Sequence, residues 1–280
     1  MPNPPPDPPG DPLLEEALAA LDEGDLDRAL QAARRGGARA RKAGPPALLA
    51  DFLWVEGAAL DDLFECAEAL RVLDEALALE PDHLDARLER GRALFERCRF
   101  EEARAEAEGV LDRSPEEAWA HQQLGLLAAR RGDEREAARR FKRARALDPQ
   151  AFPAPVTVSR DQFQAIAEAE FAAIPEAVRR HLANVPITVE DLPADEDLLA
   201  CDPPLSPGSL GLFRGAPFGQ KGSGDAWSQL PSAIVLFQRN LERAVTTREA
   251  LEEEVHVTLV HEIGHFLGLD EEELAARGLE

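Results

Sequence analysis

Small residues and prolines recur with a fixed period in the first half of the chain. Gly57, Gly91 and Gly125 are 34 residues apart. The same spacing separates three alanines and three prolines: Ala69, Ala103, Ala137, Pro81, Pro115 and Pro149. Small residues at these places let two antiparallel helices approach closely, and proline cannot continue the second helix. The pattern therefore predicts three helix pairs, which start near residues 50, 84 and 118.

A weaker unit precedes these three, at about residues 10–43. Its segment 23–29 resembles segment 131–137, which falls in the turn between two predicted helices. Ala29 lies 40 residues before Ala69, so about six residues near 44–46 are inserted between the first two units. The period and pattern are those of tetratricopeptide (TPR) repeats, whose stacked helix pairs form a curved solenoid with a concave binding face. We expect about four repeats in residues 12–150, with a protein partner on the concave face or a simple scaffolding role.

Near the end of the chain the apolar positions follow a helical spacing. Offsets of three and four residues separate Leu251, Val255, Leu259, Ile263 and Phe266. This stripe predicts a helix with one side packed into a core. Thr246 followed by Glu249 fits a capping box at its start, and Gly268 is placed to end it.

Two histidines lie on another face of this predicted helix. His261, Glu262 and His265 form the motif HExxH, which Gly268 and Glu271 extend to HExxHxxGxxE. One helical turn separates the histidines, so both imidazoles can reach one metal ion. Glu262 lies beside them, where a general base would act on a water at the metal. The motif predicts a catalytic site with one zinc ion.

The third metal ligand is expected just beyond Gly268. A turn at this glycine would bring Asp270 and Glu271 back toward the histidines. By motif position Glu271 is the expected ligand and Asp270 the alternative, while Glu272 and Glu273 are interpreted as part of a solvated acidic run.

A histidine pair without metal and a structural zinc site are the competing interpretations. A structural zinc site usually has four protein ligands, often cysteines. Cys66, Cys98 and Cys201 are scattered and lie far from the motif. Their placement favours an open, catalytic site.

From about residue 158 onward the chain resembles the small bacterial zincin-like metallopeptidase family. Five segments carry the resemblance, in order: 161–175, 184–191, 210–215, 233–240 and 253–269. The resemblance implies a compact α+β domain at 158–280, with His261 and His265 as zinc ligands and Glu262 as general base. Family members usually have aspartate at the position of Glu271, which leaves Asp270 open as the third ligand.

Two residue types that would help catalysis in related enzymes are absent. The only methionine is Met1, so no Met-turn can underlie the metal, and the chain has no tyrosine to stabilise an oxyanion. Arg239 and Arg243 are candidate donors, although surface arginines in an acidic domain are the favoured interpretation.

Two segments between the motifs are candidates for substrate binding. Residues 232–238 predict a strand, which could lie at the edge of a sheet and bind an extended substrate or could be an interior strand. The glycine-rich residues 215–230 predict a loop that could line the cleft or simply connect two strands.

Length and composition fit two soluble domains. The 280 residues suffice for two cores, with a boundary near 149–158 and a disordered proline-rich tail at 1–11. An odd number of scattered cysteines favours a reducing compartment, and with no membrane-spanning run we expect a cytoplasmic protein. The net charge of −23 argues against nucleic acid as a partner.

The sequence therefore predicts an all-α TPR solenoid followed by an α+β zincin-like domain. The favoured function is a zinc metallopeptidase that cleaves peptide or protein substrates, with the repeats recruiting a substrate or partner protein. The first alternative is a TPR adaptor whose zincin-like domain is weakly active or inactive. The second is a metal-dependent hydrolase that acts on a non-peptide amide.

Overall fold

The computed structural model describes residues 11–215 and 232–269, together with residue 273. The chain divides between Asp148 and Pro149 into two compact units. The first unit is entirely helical in its described part, and the second combines helices with a small sheet. This is the fold class that the sequence predicts.

The N-terminal unit consists of helices joined in pairs by short turns. Its helices are α1 (Pro12–Asp22), α2 (Leu26–Ala43), α3 (Pro46–Asp62), α4 (Cys66–Leu79), α5 (Leu84–Glu96), α6 (Phe100–Leu111), α7 (Ala118–Arg130) and α8 (Glu134–Leu147). The first helices of successive pairs, α1, α3, α5 and α7, contact one another. The three regular helix pairs thus form as the 34-residue period predicts, and the weaker earlier unit also forms a helix pair.

Close approach of the helices explains the recurring small residues. A Cβ atom at Gly57 would lie 2.5 Å from the side chain of Leu73, and one at Gly125 would lie 2.6 Å from the ring of Phe141. The three recurring alanines of the second helices are buried as well: Ala69, Ala103 and Ala137. A larger residue at these positions would force the paired helices apart.

The start of the chain and the insertion differ in detail from expectation. Asp11, assigned to the disordered tail, is ordered and caps α1 by accepting a hydrogen bond from the Leu13 N–H; residues 1–10 lie outside the described residues. The insertion extends α2 to Ala43 and lets α3 begin at Pro46. Proline is tolerated at a first helical position because its missing N–H would have no helical partner there.

Each turn within a helix pair contains one residue in the left-handed conformation. Glycine occupies this position twice, with φ of 74° at Gly24 and 73° at Gly132, whereas Phe64 and Cys98 adopt φ of 61° and 57°. A left-handed conformation costs an L-residue roughly 1–2 kcal/mol, and glycine escapes this cost. The second and third repeats therefore carry local backbone strain.

Replacing Phe64 with glycine is expected to stabilise the chain by about 1 kcal/mol, because the relieved strain exceeds the entropy that glycine adds to the unfolded state. The Phe64 side chain is 80% exposed, so little buried surface is lost. Urea unfolding of the full chain measures the change.

The matched control is Gly132→Ala. A Cβ atom at Gly132 would meet nothing within 4 Å, so only the backbone conformation opposes the change, and a loss of about 1 kcal/mol is expected. A Phe64→Gly variant less stable than the wild type would show that the exposed ring contributes more than the strain costs.

The C-terminal unit packs helices around a three-stranded sheet. Its helices are α9 (Arg160–Ala173), α10 (Glu176–Arg179), α11 (Asp195–Leu198), α12 (Gln238–Ala244) and α13 (Arg248–Leu267), with a short 3-10 helix at Arg180–Leu182. The strands are β1 (Ile187–Glu190), β2 (Gly211–Arg214) and β3 (Ala233–Phe237). Their order is β1-β3-β2, with β1 parallel and β2 antiparallel to β3. Helices α9 and α13 share a hydrophobic core with β1 and β3.

The structure corrects two local predictions. The strand predicted within 232–238 forms as β3 and lies between β1 and β2, so of its two possible places the interior one is correct and the substrate-binding edge is wrong. Its residues Ile234, Val235 and Leu236 are fully buried. Helix α13 is capped by Thr247, whose hydroxyl accepts from the Ala250 N–H, and not by Thr246.

Candidate metal centre

Helix α13 carries the HExxH motif and is anchored along one side. All five residues of the predicted apolar stripe are buried: Leu251, Val255, Leu259, Ile263 and Phe266. The helix ends where predicted, because Gly268 adopts the left-handed conformation with φ of 88°. The Leu269 N–H then donates to the Gly264 carbonyl at 3.1 Å, which turns the chain back over the last helical turn.

The two histidines of the motif converge on one point. His261 and His265 are half-buried, and their Nε2 atoms lie 3.0 Å apart. Two nitrogens at about 2.0–2.1 Å from one zinc ion, with tetrahedral angles, are separated by about 3.3 Å. The observed separation is close to this value, so the two imidazoles suit a shared zinc ion.

The turn at Gly268 also orients one imidazole. The Nδ1 atom of His265 lies 3.3 Å from the Leu269 carbonyl oxygen. A proton on Nδ1 can be donated to this oxygen, which leaves the lone pair on Nε2 for a metal. A backbone carbonyl in this position is a common outer partner of a zinc-binding histidine.

The Glu262 side chain is buried where α13 packs against the edge strand β2. Its residue exposure is 6%, and its neighbour one turn earlier, Thr258, is equally buried. Strand β2 lies against both side chains at Gly211, which has no side chain of its own. Gly211 is not among the site residues predicted from the sequence. The signal that could have identified it is a glycine within a strand, which often marks a close backbone approach.

Strand β2 is an edge strand of the described sheet. The Phe237 N–H donates to the Leu210 carbonyl at 2.8 Å, and antiparallel strands direct alternate residues toward and away from the partner. The backbone groups of Leu212 therefore face β3, whereas those of Gly211 and Phe213 face away from it. Gly211 thus presents peptide groups beside the carboxyl group of Glu262.

The predicted third ligands cannot be placed, because Glu271 and Asp270 lie outside the described residues. Within the described part of the chain, no group of three histidine, cysteine or acidic side chains could hold a metal ion. Of the predicted cleft loop at 215–230, residues 216–230 also lie outside the described residues.

The candidate oxyanion donor Arg239 contacts a carboxylate instead. Its Nη2 atom lies 3.2 Å from Asp191, just after β1. Arg214 on β2 is held similarly, at 2.8 Å from both Glu190 and Asp197, and these hydrogen bonds raise its pKa. Such ion pairs favour the structural interpretation of Arg239, while Arg243 lies half-buried in the last turn of α12.

Comparison with protein families agrees with this architecture. Residues 182–279 match the family described as zincin-like metallopeptidase. Residues 65–125 match the tetratricopeptide repeat. The chain therefore carries a zincin-like metallopeptidase domain after TPR repeats, as the sequence resemblance predicts.

Solved structures similar to the chain include two of MamA and one of YrrB. A crystal structure of MamA is 22% identical, covers 50% of this chain and 78% of its own, and gives a TM-score of 0.41. A MamA fragment from Desulfovibrio magneticus RS-1 is 23% identical, with coverages of 61% and 87% and a TM-score of 0.39. YrrB, a TPR protein with an unusual peptide-binding site, is 19% identical, with coverages of 50% and 86% and a TM-score of 0.35.

No curated protein matches the chain. None of the described helices combines the length and the apolar composition that crossing a membrane requires.

Proposed function

We propose that the C-terminal unit is a zinc-dependent peptidase and that the TPR repeats recruit its substrate or a regulatory protein. The observation that carries the proposal is the convergence of the His261 and His265 Nε2 atoms, 3.0 Å apart, on the helix that also holds the buried Glu262. Glu271 would be the third zinc ligand, with Asp270 as the alternative.

The metal site and Glu262 would have different roles in hydrolysis of a peptide bond. A zinc ion held by His261 and His265 would supply Lewis acidity to a water molecule and to the scissile carbonyl group. Glu262 would accept the proton of the attacking water at its carboxylate and pass it to the leaving amine. Burial against β2 and Thr258 would hold this carboxylate in one orientation during both transfers.

The outward peptide groups of β2 give the substrate a place to bind. An extended peptide could form main-chain hydrogen bonds with Gly211 and Phe213, as an added strand does at a sheet edge. Because Gly211 lies beside Glu262, such a peptide would pass next to the general base. Main-chain recognition suits a peptide substrate better than a small non-peptide amide, and this favours the peptidase over the second alternative.

The function is tested with the full chain and a peptide library. We expect one zinc ion per chain by elemental mass spectrometry and a reproducible set of cleaved peptides. Removal of zinc by a chelator should abolish the cleavage, and added zinc should restore it. A zinc-loaded chain that leaves the library intact would overturn the peptidase proposal and favour the adaptor function.

Recruitment by the repeats is tested separately. If the repeats select substrates, removing residues 1–148 should preserve cleavage of short library peptides and change which folded proteins in a mixture are cut. Unchanged selectivity toward proteins would count against recruitment.

A further inference from the structure

Strand β2 meets the HExxH helix at a position where no side chain fits. A Cβ atom at Gly211 would lie 2.6 Å from Thr258 Cγ2, 3.0 Å from Glu262 Oε1 and 3.1 Å from Glu262 Cγ. The first distance is shorter than any normal contact between carbon atoms, and the other two are tight. The backbone of Gly211 therefore lies directly against the side chain of the expected general base.

A second contact sets how β2 lies along the helix. The Phe213 ring packs edge-on against Phe266, with centroids 5.7 Å apart. Two residues along a strand advance about 6.6 Å, and the four residues from Glu262 to Phe266 advance about 6 Å along a helix. The two advances nearly match, so Gly211 and Phe213 contact successive turns of α13, and β2 runs in the same direction as the helix.

The segment that leads into β2 is also held in place. The side-chain amide of Asn240 donates to the carbonyl oxygens of Pro207 and Ser209, at 3.0 and 2.8 Å. Asn240 itself is 8% exposed. With Phe213 anchored on the other side, Gly211 cannot move away from Glu262 without breaking one of these contacts.

We propose that Gly211 is a positioning residue for Glu262, an inference that rests on the proposed peptidase function. The absent side chain lets β2 form the wall against which the Glu262 carboxyl group packs. The wall limits the carboxyl group to orientations beside the paired histidines. Any side chain at residue 211 would displace the carboxyl group, even where the fold is kept.

The test separates positioning from simple packing. Gly211→Ala introduces both the contact with Thr258 and the contact with Glu262. Thr258→Ser removes Cγ2, which is the atom in the closest contact, and keeps the hydroxyl group. In the double variant Gly211→Ala/Thr258→Ser, only the contacts with Glu262 remain, and Thr258→Ser alone serves as its matched reference.

We expect Gly211→Ala to lower both the melting temperature and kcat. In the double variant the melting temperature should return to within a few degrees of the Thr258→Ser reference, while kcat stays about 10–100-fold lower, as a misplacement of about 1 Å can cause. KM and zinc affinity should remain within about twofold of the reference, since the peptide-binding edge and both histidines are intact. Recovery of kcat together with stability would overturn the proposal, because it would assign Gly211 to packing alone.

Crystal structures of the zinc-loaded wild type and of the double variant test the proposal without any measurement of activity. A Glu262 carboxyl group displaced relative to the two histidine Nε2 atoms supports it, and an unmoved carboxyl group overturns it. If the wild type cleaves no peptide, the proposed function fails, and the two structures still decide the role of Gly211. If both proteins cleave equally well, the function stands and the role of Gly211 is wrong.

Discussion

Replacing Glu262 with glutamine is expected to lower kcat/KM for a library-derived peptide by about 1,000-fold while the chain still binds one zinc ion. Proton transfer by a positioned side chain contributes roughly 10²–10⁴-fold to a rate. Glutamine has almost the same shape as glutamate and fits the same space beside Gly211 and Thr258, but it cannot accept a proton near neutral pH. Steady-state kinetics with elemental analysis of the same sample measures both quantities.

The matched control for this variant is Glu253→Gln. Glu253 lies on the same helix and is exposed, so the substitution makes the same change in charge away from the histidines. We expect its kcat/KM to stay within about twofold of the wild type, since exposed substitutions seldom matter. Equal activity in the Glu262→Gln variant and the wild type would exclude Glu262 as the general base.

Replacing His261 or His265 with alanine is expected to weaken zinc binding by more than about 100-fold. Loss of an outer partner of a zinc ligand already costs about 10–100-fold in affinity, and loss of the ligand itself should cost more. Each variant keeps the buried face of α13, so the helix should still form. Competition with a chromophoric chelator measures the affinity, and circular dichroism checks the fold.

His256→Ala is the control for both histidine variants. His256 is on the same helix, but its Nδ1 atom lies 3.1 Å from Glu170 on α9 and not beside the other two histidines. Its zinc affinity should equal that of the wild type. A His261→Ala variant that binds zinc as tightly as the His256→Ala variant would show that His261 is not a ligand.

Features encoded by nearby residues could be predicted well. The helix pairs follow from the spacing of Gly57, Gly91 and Gly125, because each small residue acts within one helix pair or between neighbouring pairs. The end of α13 at Gly268 follows from the conformational freedom of glycine. The predicted cap of α13, Thr246, is one residue before the observed cap, Thr247, since adjacent threonines are equally able to cap a helix.

Features that depend on distant contacts could not be predicted. An apolar strand such as β3 shows the same run of apolar residues whether it lies at the centre of a sheet or at an edge that other elements cover. Only its pairing with both β1 and β2 identifies its place. The ion pair of Arg239 with Asp191 joins residues far apart in the sequence. Nothing in the local pattern distinguishes such an arginine from an oxyanion donor.

By itself the sequence determined the repeat architecture, the two domains' classes and the spacing of His261 and His265, because helical periodicity fixes which side chains share a face. Only the tertiary structure decided that the two Nε2 atoms converge, that β2 is the strand beside Glu262, and that Gly211 leaves room for its carboxyl group. The convergence depends on the side-chain orientations at the end of α13, and the other two facts depend on how β2 packs against α13. Packing between elements distant in the chain is set by the fit of the whole core and leaves no periodic signal in the sequence.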